Sequence, residues 1–279
     1  MLGKRLEISV ISCLIIGLIG YSALGIAIAS DRISHAERTL NGVIAHQNML
    51  NASFQGINSQ LSTLGSSPAF DVDKTLALID QSVASYELTA RTVSHDDAAL
   101  SATERQLIDQ RWLTMVSADR LDRVHARIGH ARHALAMARD VAADEILDGQ
   151  FWRELYRSLA DMKKAEGQKA EGDLSAARTT LAQMQVDIDQ AARLSTSPGL
   201  PPELQSLSAD MQRFAADYGK QLDALSVGDY AGITAYGAAV SADSSKLGTY
   251  DVDGIGAEID AYFKPLIDRY NREIVAATT

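Results

Sequence analysis

The sequence holds a single cysteine among its 279 residues, Cys13, which lies inside a hydrophobic stretch near the N-terminus. One cysteine excludes an intrachain disulfide and a thiolate metal cage, so the packing of side chains must hold the fold together. Proline is scarce too, at five residues, and this leaves long segments in which a helix can run without interruption.

Aromatic residues and positive charges are also in short supply. Aromatic side chains make up 6% of the chain, a low share for a β-rich fold, whose strands favour aromatic and branched residues. Lysine and arginine number 26 against 36 acidic residues, giving a formal net charge of -10, whereas nucleic-acid binding requires a surplus of basic residues. With 46% hydrophobic residues available for a core, the composition predicts an acidic, mainly helical protein with no nucleic-acid partner.

Recognisable catalytic motifs are missing. The sequence has no nucleophile-elbow pattern, no phosphate-binding glycine loop and no zinc-binding His-Glu pair, so we predict a protein that is not an enzyme and has no cofactor. His130, His133 and Met137 have a spacing that suits copper or zinc, but no cysteine or carboxylate pattern completes the set. Residues 251–254 (DVDG) match only part of a calcium loop and predict a turn that caps a helix, so we predict no metal site.

One long apolar segment stands out at the N-terminus. Ile8 to Ala29 form 22 residues without a charge, and about 20 apolar residues in a helix are enough to cross the hydrocarbon core of a membrane. Lys4 and Arg5 precede this segment, and positive charge marks the cytoplasmic side. We therefore predict a single-pass protein of the cell membrane, with residues 1–7 cytoplasmic, 8–29 spanning, and the remainder in the periplasm.

Two other interpretations of this segment involve cleavage. Ala27-Ile28-Ala29 resembles a signal-peptidase site, and the residues before Cys13 resemble a lipoprotein box. A cleaved signal usually has an apolar core of about 7 to 15 residues, shorter than this one, so we favour an uncleaved anchor. Glycines at positions 17, 20 and 25 would let two anchors approach closely in a homodimer.

Helical periodicity is strongest directly after the apolar segment. Apolar positions recur at alternating spacings of three and four, the pattern of a heptad seam. The same phase reaches back into the predicted span, so we predict one continuous helix that contains the anchor and the first outer helix, ending at residues 65–68 (GSSP). The seam consists of Ile26, Ala29, Ile33, Ala36, Leu40, Val43, Gln47, Leu50, Phe54, Ile57, Leu61 and Leu64.

Similar seams follow along the rest of the chain and predict an all-α, up-and-down helical bundle. They include separate seams at 121–138 and 152–162 and another at 174–191. The clearest break is residues 197–202 (SPGLPP), which predicts one module at 30–196 and, at 203–279, a second stacked module or the completion of the bundle. Gly228 is placed to end a helix and Asp229 to cap the next.

The most unusual local composition is residues 120–139, called here the basic segment, with five arginines, three histidines and one acid. Guanidinium groups along a groove between helices can bind a carboxylate or phosphate through paired hydrogen bonds. We therefore predict a small anionic ligand. Its predicted binding residues are Arg120, Arg123, Arg127 and Arg132.

The basic segment can also be interpreted as structural, with its arginines bound to acids of another helix. Glu203, Asp210 and Asp217 occupy a matching row on a later helix and would form interhelical ion pairs with the arginines. Charges that flank packed seams commonly specify partner and register, so this alternative stays open at the level of the sequence.

The order of features resembles the extracytoplasmic sensory half of bacterial chemoreceptors and related transmembrane sensors: a short basic tail, a span continuous with a long outer helix, then helical bundle. In length it is most similar to the two-module sensor regions that bind small organic acids. The sequence shows neither the second span nor the cytoplasmic signalling rod of such receptors. The resemblance implies a ligand-binding or sensing module without its own signalling domain, and the alternative is a structural component of the bacterial cell envelope that binds a helical protein partner.

Overall fold

A computed structural model of the chain describes residues 21–49, 72–109, 114–115 and 117–279. These residues form helices and no strand, which confirms the predicted all-α class. The described part of the first helix, α1, covers residues 21–49. The other six are α2 (Val72–Ile108), α3 (Ala118–Ala170), α4 (Leu174–Leu194), α5 (Glu203–Val227), α6 (Tyr230–Leu247) and α7 (Val252–Thr278).

The seam predicted on α1 is buried in its described part, from Ala29 to Gln47. Ile26 is exposed instead, and the predicted positions from Leu50 to Leu64 lie outside the described residues. Gln47, the one polar member, accepts a hydrogen bond from the Tyr270 hydroxyl at 3.1 Å, which offsets the cost of burying its amide oxygen. The buried positions are Ala29, Ile33, Ala36, Leu40, Val43 and Gln47.

Within the described ranges, no helix combines the length and the apolar character that a membrane crossing requires. The predicted span at 8–29 overlaps these ranges only at residues 21–29, which are helical, and its residues 8–20 lie outside them.

The structure joins two predicted helices into one. The seams at 121–138 and 152–162 belong to α3, a single helix of 53 residues, because no proline separates them and one glycine does not end a helix. That glycine, Gly149, has a packing role: a Cβ at this position would lie 2.6 Å from the Cγ2 atom of Val83 in α2. Glycine therefore allows α2 and α3 to approach closely here.

Most helix ends follow the signals in the sequence. Gly228 ends α5 with a left-handed φ of 69°, and the Asp229 carboxylate accepts a hydrogen bond from the Gly232 N–H at 3.1 Å to start α6. Asp251 accepts from the Gly254 N–H at 3.0 Å, so the predicted capping turn before α7 is confirmed. Two helices are separated at the Pro-rich segment 197–202, since α4 ends at Leu194 and α5 begins at Glu203.

The chain divides into two compact units, and each collects segments that are distant in sequence. Unit 1 consists of residues 1–51, 91–139 and 268–279, and unit 2 of residues 52–90 and 140–267. These bounds differ from the modules predicted at 30–196 and 203–279, because α2, α3 and α7 each supply residues to both units.

Each unit has its own hydrophobic core. In unit 1, the α1 seam packs with Val93, Leu100 and Leu107 of α2 and with the predicted seam of α3 from Leu121 to Leu135. In unit 2, α4 and α5 supply most of the core around Met184, Phe214 and Tyr218, together with Phe151 and Leu155 of α3.

Candidate functional site

The charge of α3 inverts at the boundary between the units. Its unit 1 part contains the basic segment, whereas its unit 2 part begins with four acids and has no basic residue before Arg153. The four acids are Asp140, Asp144, Glu145 and Asp148. The two parts of α3 are therefore candidates for different chemistry.

Arg132, in the basic segment, is held by carboxylates of α2. Its Nε donates to Asp97 Oδ1 at 2.8 Å and its Nη1 to Glu104 Oε2 at 2.6 Å, and these hydrogen bonds raise the pKa of Arg132. The other Glu104 oxygen lies 3.1 Å from His125 Nε2. Arg132 thus has a structural role between α2 and α3, and both of its carboxylate partners are within unit 1.

Arg127 contacts the end of α7. Its Nε donates to the carbonyl oxygen of Ala277 at 2.8 Å, and three residues along α3 His130 Nδ1 lies 2.7 Å from Glu273 Oε2. A helix C-terminus presents carbonyl groups without intrahelical partners, so a guanidinium stabilises it there.

Arg120 and Arg123 are placed differently from the other two predicted ligand residues. Both are exposed in the first two turns of α3, and among the described residues neither has a hydrogen-bond or ion-pair partner. Of the four predicted ligand residues, these two have guanidinium groups available to another molecule, while Arg127 and Arg132 bind within the protein.

The acidic row predicted to pair with the basic segment belongs to unit 2, and two of its three members, Asp210 and Asp217, have other partners. Asp210, which is buried, accepts from Lys246 Nζ at 2.8 Å, from the Tyr250 hydroxyl at 2.8 Å and from Arg213 Nη2 at 2.6 Å. These donors hold the pKa of Asp210 below its usual range. Asp217 pairs with Lys220 at 2.7 Å.

A second polar cluster, which the sequence analysis missed, lies in unit 2. Glu145 and Asp148 of α3, called here the acid pair, face Tyr86 of α2, and the close approach at Gly149 brings the two helices together. The Tyr86 hydroxyl donates to Glu145, and the indole N–H of Trp152 donates to Asp148. One oxygen of Asp148, Oδ1, is buried and accepts no hydrogen bond from the described residues.

Burial raises the pKa of both acids to about 7. For Glu145 the next cause is repulsion by Asp148, and Asp144 and Asp260 add to it, while the hydrogen bond from Tyr86 acts in the opposite direction. Burial also raises the pKa of the Tyr86 hydroxyl, which therefore stays protonated and remains a donor. The neighbouring charges that act on the acid pair are thus carboxylates, in contrast to the cations around Asp210.

The acid pair can take up protons near neutral pH or bind an organic cation. Desolvated carboxylates without a cationic neighbour gain free energy in either way. A metal is not supported, since no described group of three or more His, Cys, Asp or Glu side chains has suitable geometry.

The sequence does contain a signal for this cluster. Glu145, Asp148, Trp152 and Tyr156 follow spacings of three, four and four, and therefore share one face of a helix. What the sequence could not reveal is that Tyr86 of α2 lies opposite this face.

Comparison with known proteins adds no assignment. No protein-family model, no curated protein sequence and no solved structure matches this chain.

Proposed function

We propose that this protein is a membrane-anchored, extracytoplasmic binding or sensing module, and that the acid pair is its responsive element. The observation that carries the proposal is that Glu145 and Asp148, both half-buried, have only carboxylates as charged neighbours among the described residues, and that one Asp148 oxygen accepts no hydrogen bond from these residues. Burying uncompensated carboxylates costs stability, and groups with such strongly raised pKa values are common at functional sites.

The N-terminal part of the chain supports the anchor. The α1 seam is buried from Ala29 onward, where the predicted span ends, so the bundle starts directly next to that segment. Before this point Leu24 and Ile26 are exposed, as side chains that contact lipid are expected to be.

The chemistry of the two candidate sites predicts different ligands. The acid pair favours protons and organic cations, because carboxylates repel anions. Arg120 and Arg123 favour a small carboxylate or phosphate. Of the four arginines predicted to bind an anionic ligand, these two still support that prediction. Arg127 and Arg132 would take part only by giving up contacts within the protein.

A thermal-shift screen of the full chain in detergent tests the proposal. The panel contains primary and quaternary amines, dicarboxylates, amino acids and inorganic phosphate, and a ligand at a hundredfold its dissociation constant adds about 2.7 kcal/mol to stability. Two variants assign any shift: Glu145→Gln/Asp148→Asn removes the negative charges of the acid pair, and Arg120→Gln/Arg123→Gln removes the exposed guanidinium groups.

We expect an amine to raise the melting temperature of the wild type and of the arginine variant but not of the acid-pair variant. If a dicarboxylate or phosphate raises the melting temperature, and only the arginine variant loses this effect, the ligand site is in the basic segment. If no compound shifts the wild type, and its stability does not depend on pH between 5 and 8, the sensing proposal is contradicted.

A specific surface favours the second candidate, a structural or interaction component of the cell envelope. Residues 230–242 of α6 carry no charge, and Tyr230 and the neighbouring Val227 are 85% and 78% exposed. Large exposed apolar side chains that are close in the sequence are typical of a binding surface for another protein. Crosslinking in the native envelope, with a photoreactive residue in place of Tyr230, would capture a partner under this candidate and none under a purely ligand-binding function.

A further inference from the structure

The negative charge of the chain is concentrated in unit 2. This unit contains 25 acidic and 12 basic residues, whereas unit 1 contains 11 acidic and 14 basic residues. Opposite charges across an interface speed association and select the partner, so the excess of carboxylates favours a positively charged partner for unit 2. The exposed apolar side chains of unit 2 indicate where such a partner binds.

Two helix connections lie at the same end of unit 2. Arg178, in the second turn of α4, donates from Nη2 to Asp223 Oδ1 at 2.6 Å and to Ser226 Oγ at 2.8 Å, close to the end of α5. This contact places the start of α4 beside the end of α5. The α3–α4 connection (residues 171–173) and the α5–α6 connection (residues 228–229) are therefore at one end of the unit.

Two large apolar side chains are exposed at this end. Val227, the last residue of α5, is 78% exposed, and Tyr230, the first residue of α6, is 85% exposed, the two highest values for large apolar side chains among the described residues. Between them, Gly228 has a left-handed φ and Asp229 caps α6, so local hydrogen bonds fix the backbone of the turn. Tyrosine on such a turn offers a large contact area at a low cost in conformational entropy.

Exposed carboxylates accompany these apolar side chains. Glu171 and Asp173 belong to the α3–α4 connection, and Asp229 belongs to the α5–α6 connection. Asp173 and Asp229 each use one carboxylate oxygen, Oδ1, to cap a helix. We call the surface formed by Glu171, Asp173, Val227, Asp229 and Tyr230 the acidic end.

Charge distinguishes between the possible occupants of the acidic end. Two copies of this chain that met there would bring their carboxylates together, and like charges across an interface cost free energy. A protein segment with lysine or arginine around an apolar side chain fits both features of the surface. Water screens each exposed ion pair, so contact with Val227 and Tyr230 supplies most of the affinity and the carboxylates supply the selectivity.

We propose that the acidic end binds a basic segment of another protein, with an apolar side chain of that segment packed against Val227 and Tyr230. The inference rests on the second candidate function, the interaction component, and specifies the chemistry of its partner. It does not depend on the acid pair.

Selection from a library of displayed random peptides tests the chemistry of the partner. The bait is the full chain in detergent, and the affinity of each enriched peptide is then measured for wild type and variants. Val227→Ser/Tyr230→Ser, the apolar variant, removes both apolar side chains and no charge. Its control is Val186→Ser, at another exposed valine of unit 2.

A second pair of variants tests the carboxylates. Glu171→Gln/Asp229→Asn, the acid variant, removes one charge from each connection and keeps the cap of α6, since asparagine caps a helix as well as aspartate does. Asp189→Asn/Glu203→Gln is the matched control, because it makes the same two chemical changes at exposed acids elsewhere in unit 2. Unchanged melting temperatures verify that all variants are folded.

We expect the enriched peptides to contain lysine or arginine around an apolar residue. The apolar variant should bind them about tenfold more weakly or worse, and the acid variant about threefold more weakly at low salt, with a smaller difference at high salt. Both controls should bind them as the wild type does.

Three results would overturn the proposal. The first is enrichment of peptides without basic residues, and the second is binding that the apolar variant leaves unchanged. The third is a dimer of the full chain that the apolar variant abolishes, which would assign the surface to a second copy. A selection that enriches no peptide would also overturn it, while the thermal-shift screen would still decide the role of the acid pair.

Discussion

The charged side chains in the two parts of α3 have opposite surroundings: Arg127 and Arg132 in unit 1 are paired, and the acid pair in unit 2 has no cationic partner among the described residues. In unit 1, Arg127 and Arg132 are bound by a carbonyl group and two carboxylates, and Asp96 of α2, which is buried, lies 3.1 Å from His46 of α1. In unit 2, the acid pair is half-buried next to other acids. One part of α3 therefore carries charged residues that bind neighbouring helices. The other part carries acids whose desolvation lowers the free energy of unfolding.

The difference suggests where function lies. Paired charges on packed helices are explained by partner choice and register, and they call for no ligand. Unit 2 is able to pair a buried acid, as Asp210 with its three donors demonstrates, so the lack of a cationic partner at the acid pair is not a consequence of the fold alone. The four predictions below test this contrast, from the largest expected effect to the smallest.

Removal of the paired acid should have the largest effect. We expect Asp210→Ala to lower the free energy of unfolding by about 3 kcal/mol, since it leaves Lys246, Arg213 and the Tyr250 hydroxyl without their acceptor. Urea denaturation at pH 7 measures the loss. Asp223→Ala, which removes an exposed carboxylate of the same helix, is the control, and an equal loss in both variants would contradict the importance of the buried cluster.

Neutralising the acid pair should stabilise the protein, in contrast to the loss expected for Asp210→Ala. We expect Glu145→Gln/Asp148→Asn to raise the free energy of unfolding by about 2 kcal/mol at pH 8, because it removes two desolvated negative charges. The gain should shrink toward pH 5. Equilibrium unfolding at both pH values tests this, and destabilisation at pH 8 would show that the carboxylates are compensated after all.

The pH dependence follows from the raised pKa values. Between the ordinary carboxyl range near 4 and about 7, the native state keeps protons that the unfolded chain has released. The acid pair therefore makes the protein less stable as pH rises through this window, and the whole penalty is present above about pH 7.

A smaller loss is expected in unit 1. Arg132→Met should lower the free energy of unfolding by about 1–2 kcal/mol, less than for a fully buried pair because water screens the partly exposed guanidinium. A double-mutant cycle with Glu104→Gln should give a coupling of about 0.5–1 kcal/mol. Zero coupling would mean that the contact at 2.6 Å contributes nothing to the packing of α2 on α3.

The exposed arginines should contribute least to stability. We expect Arg120→Ala/Arg123→Ala to change the free energy of unfolding by less than about 0.5 kcal/mol in detergent, since neither residue has a partner among the described residues. Arg132→Met under identical conditions provides the comparison. A loss in the exposed pair as large as that of Arg132→Met would assign it to the structure and remove it as a candidate binding surface.

Local signals in the sequence predicted much of the fold. The seam from Ala29 to Gln47 follows from helical periodicity, and the Gly228 end and Asp229 cap follow from backbone geometry and hydrogen bonding within a few residues. The division into units depends on contacts between distant segments, which periodicity does not encode. For the same reason, the pairing of Arg132 with α2 and the position of Tyr86 opposite Glu145 required the structure.

Infrared titration of the carboxyl groups tests the central claim most directly. A protonated, desolvated carboxyl has a C=O stretching band that disappears on ionisation, and the difference between wild type and Glu145→Gln/Asp148→Asn isolates the acid pair. The account predicts that this band is lost with a midpoint near pH 7. A midpoint near pH 4, as for carboxyl groups in water, would contradict the claim that unit 2 desolvates the acid pair without a compensating cation.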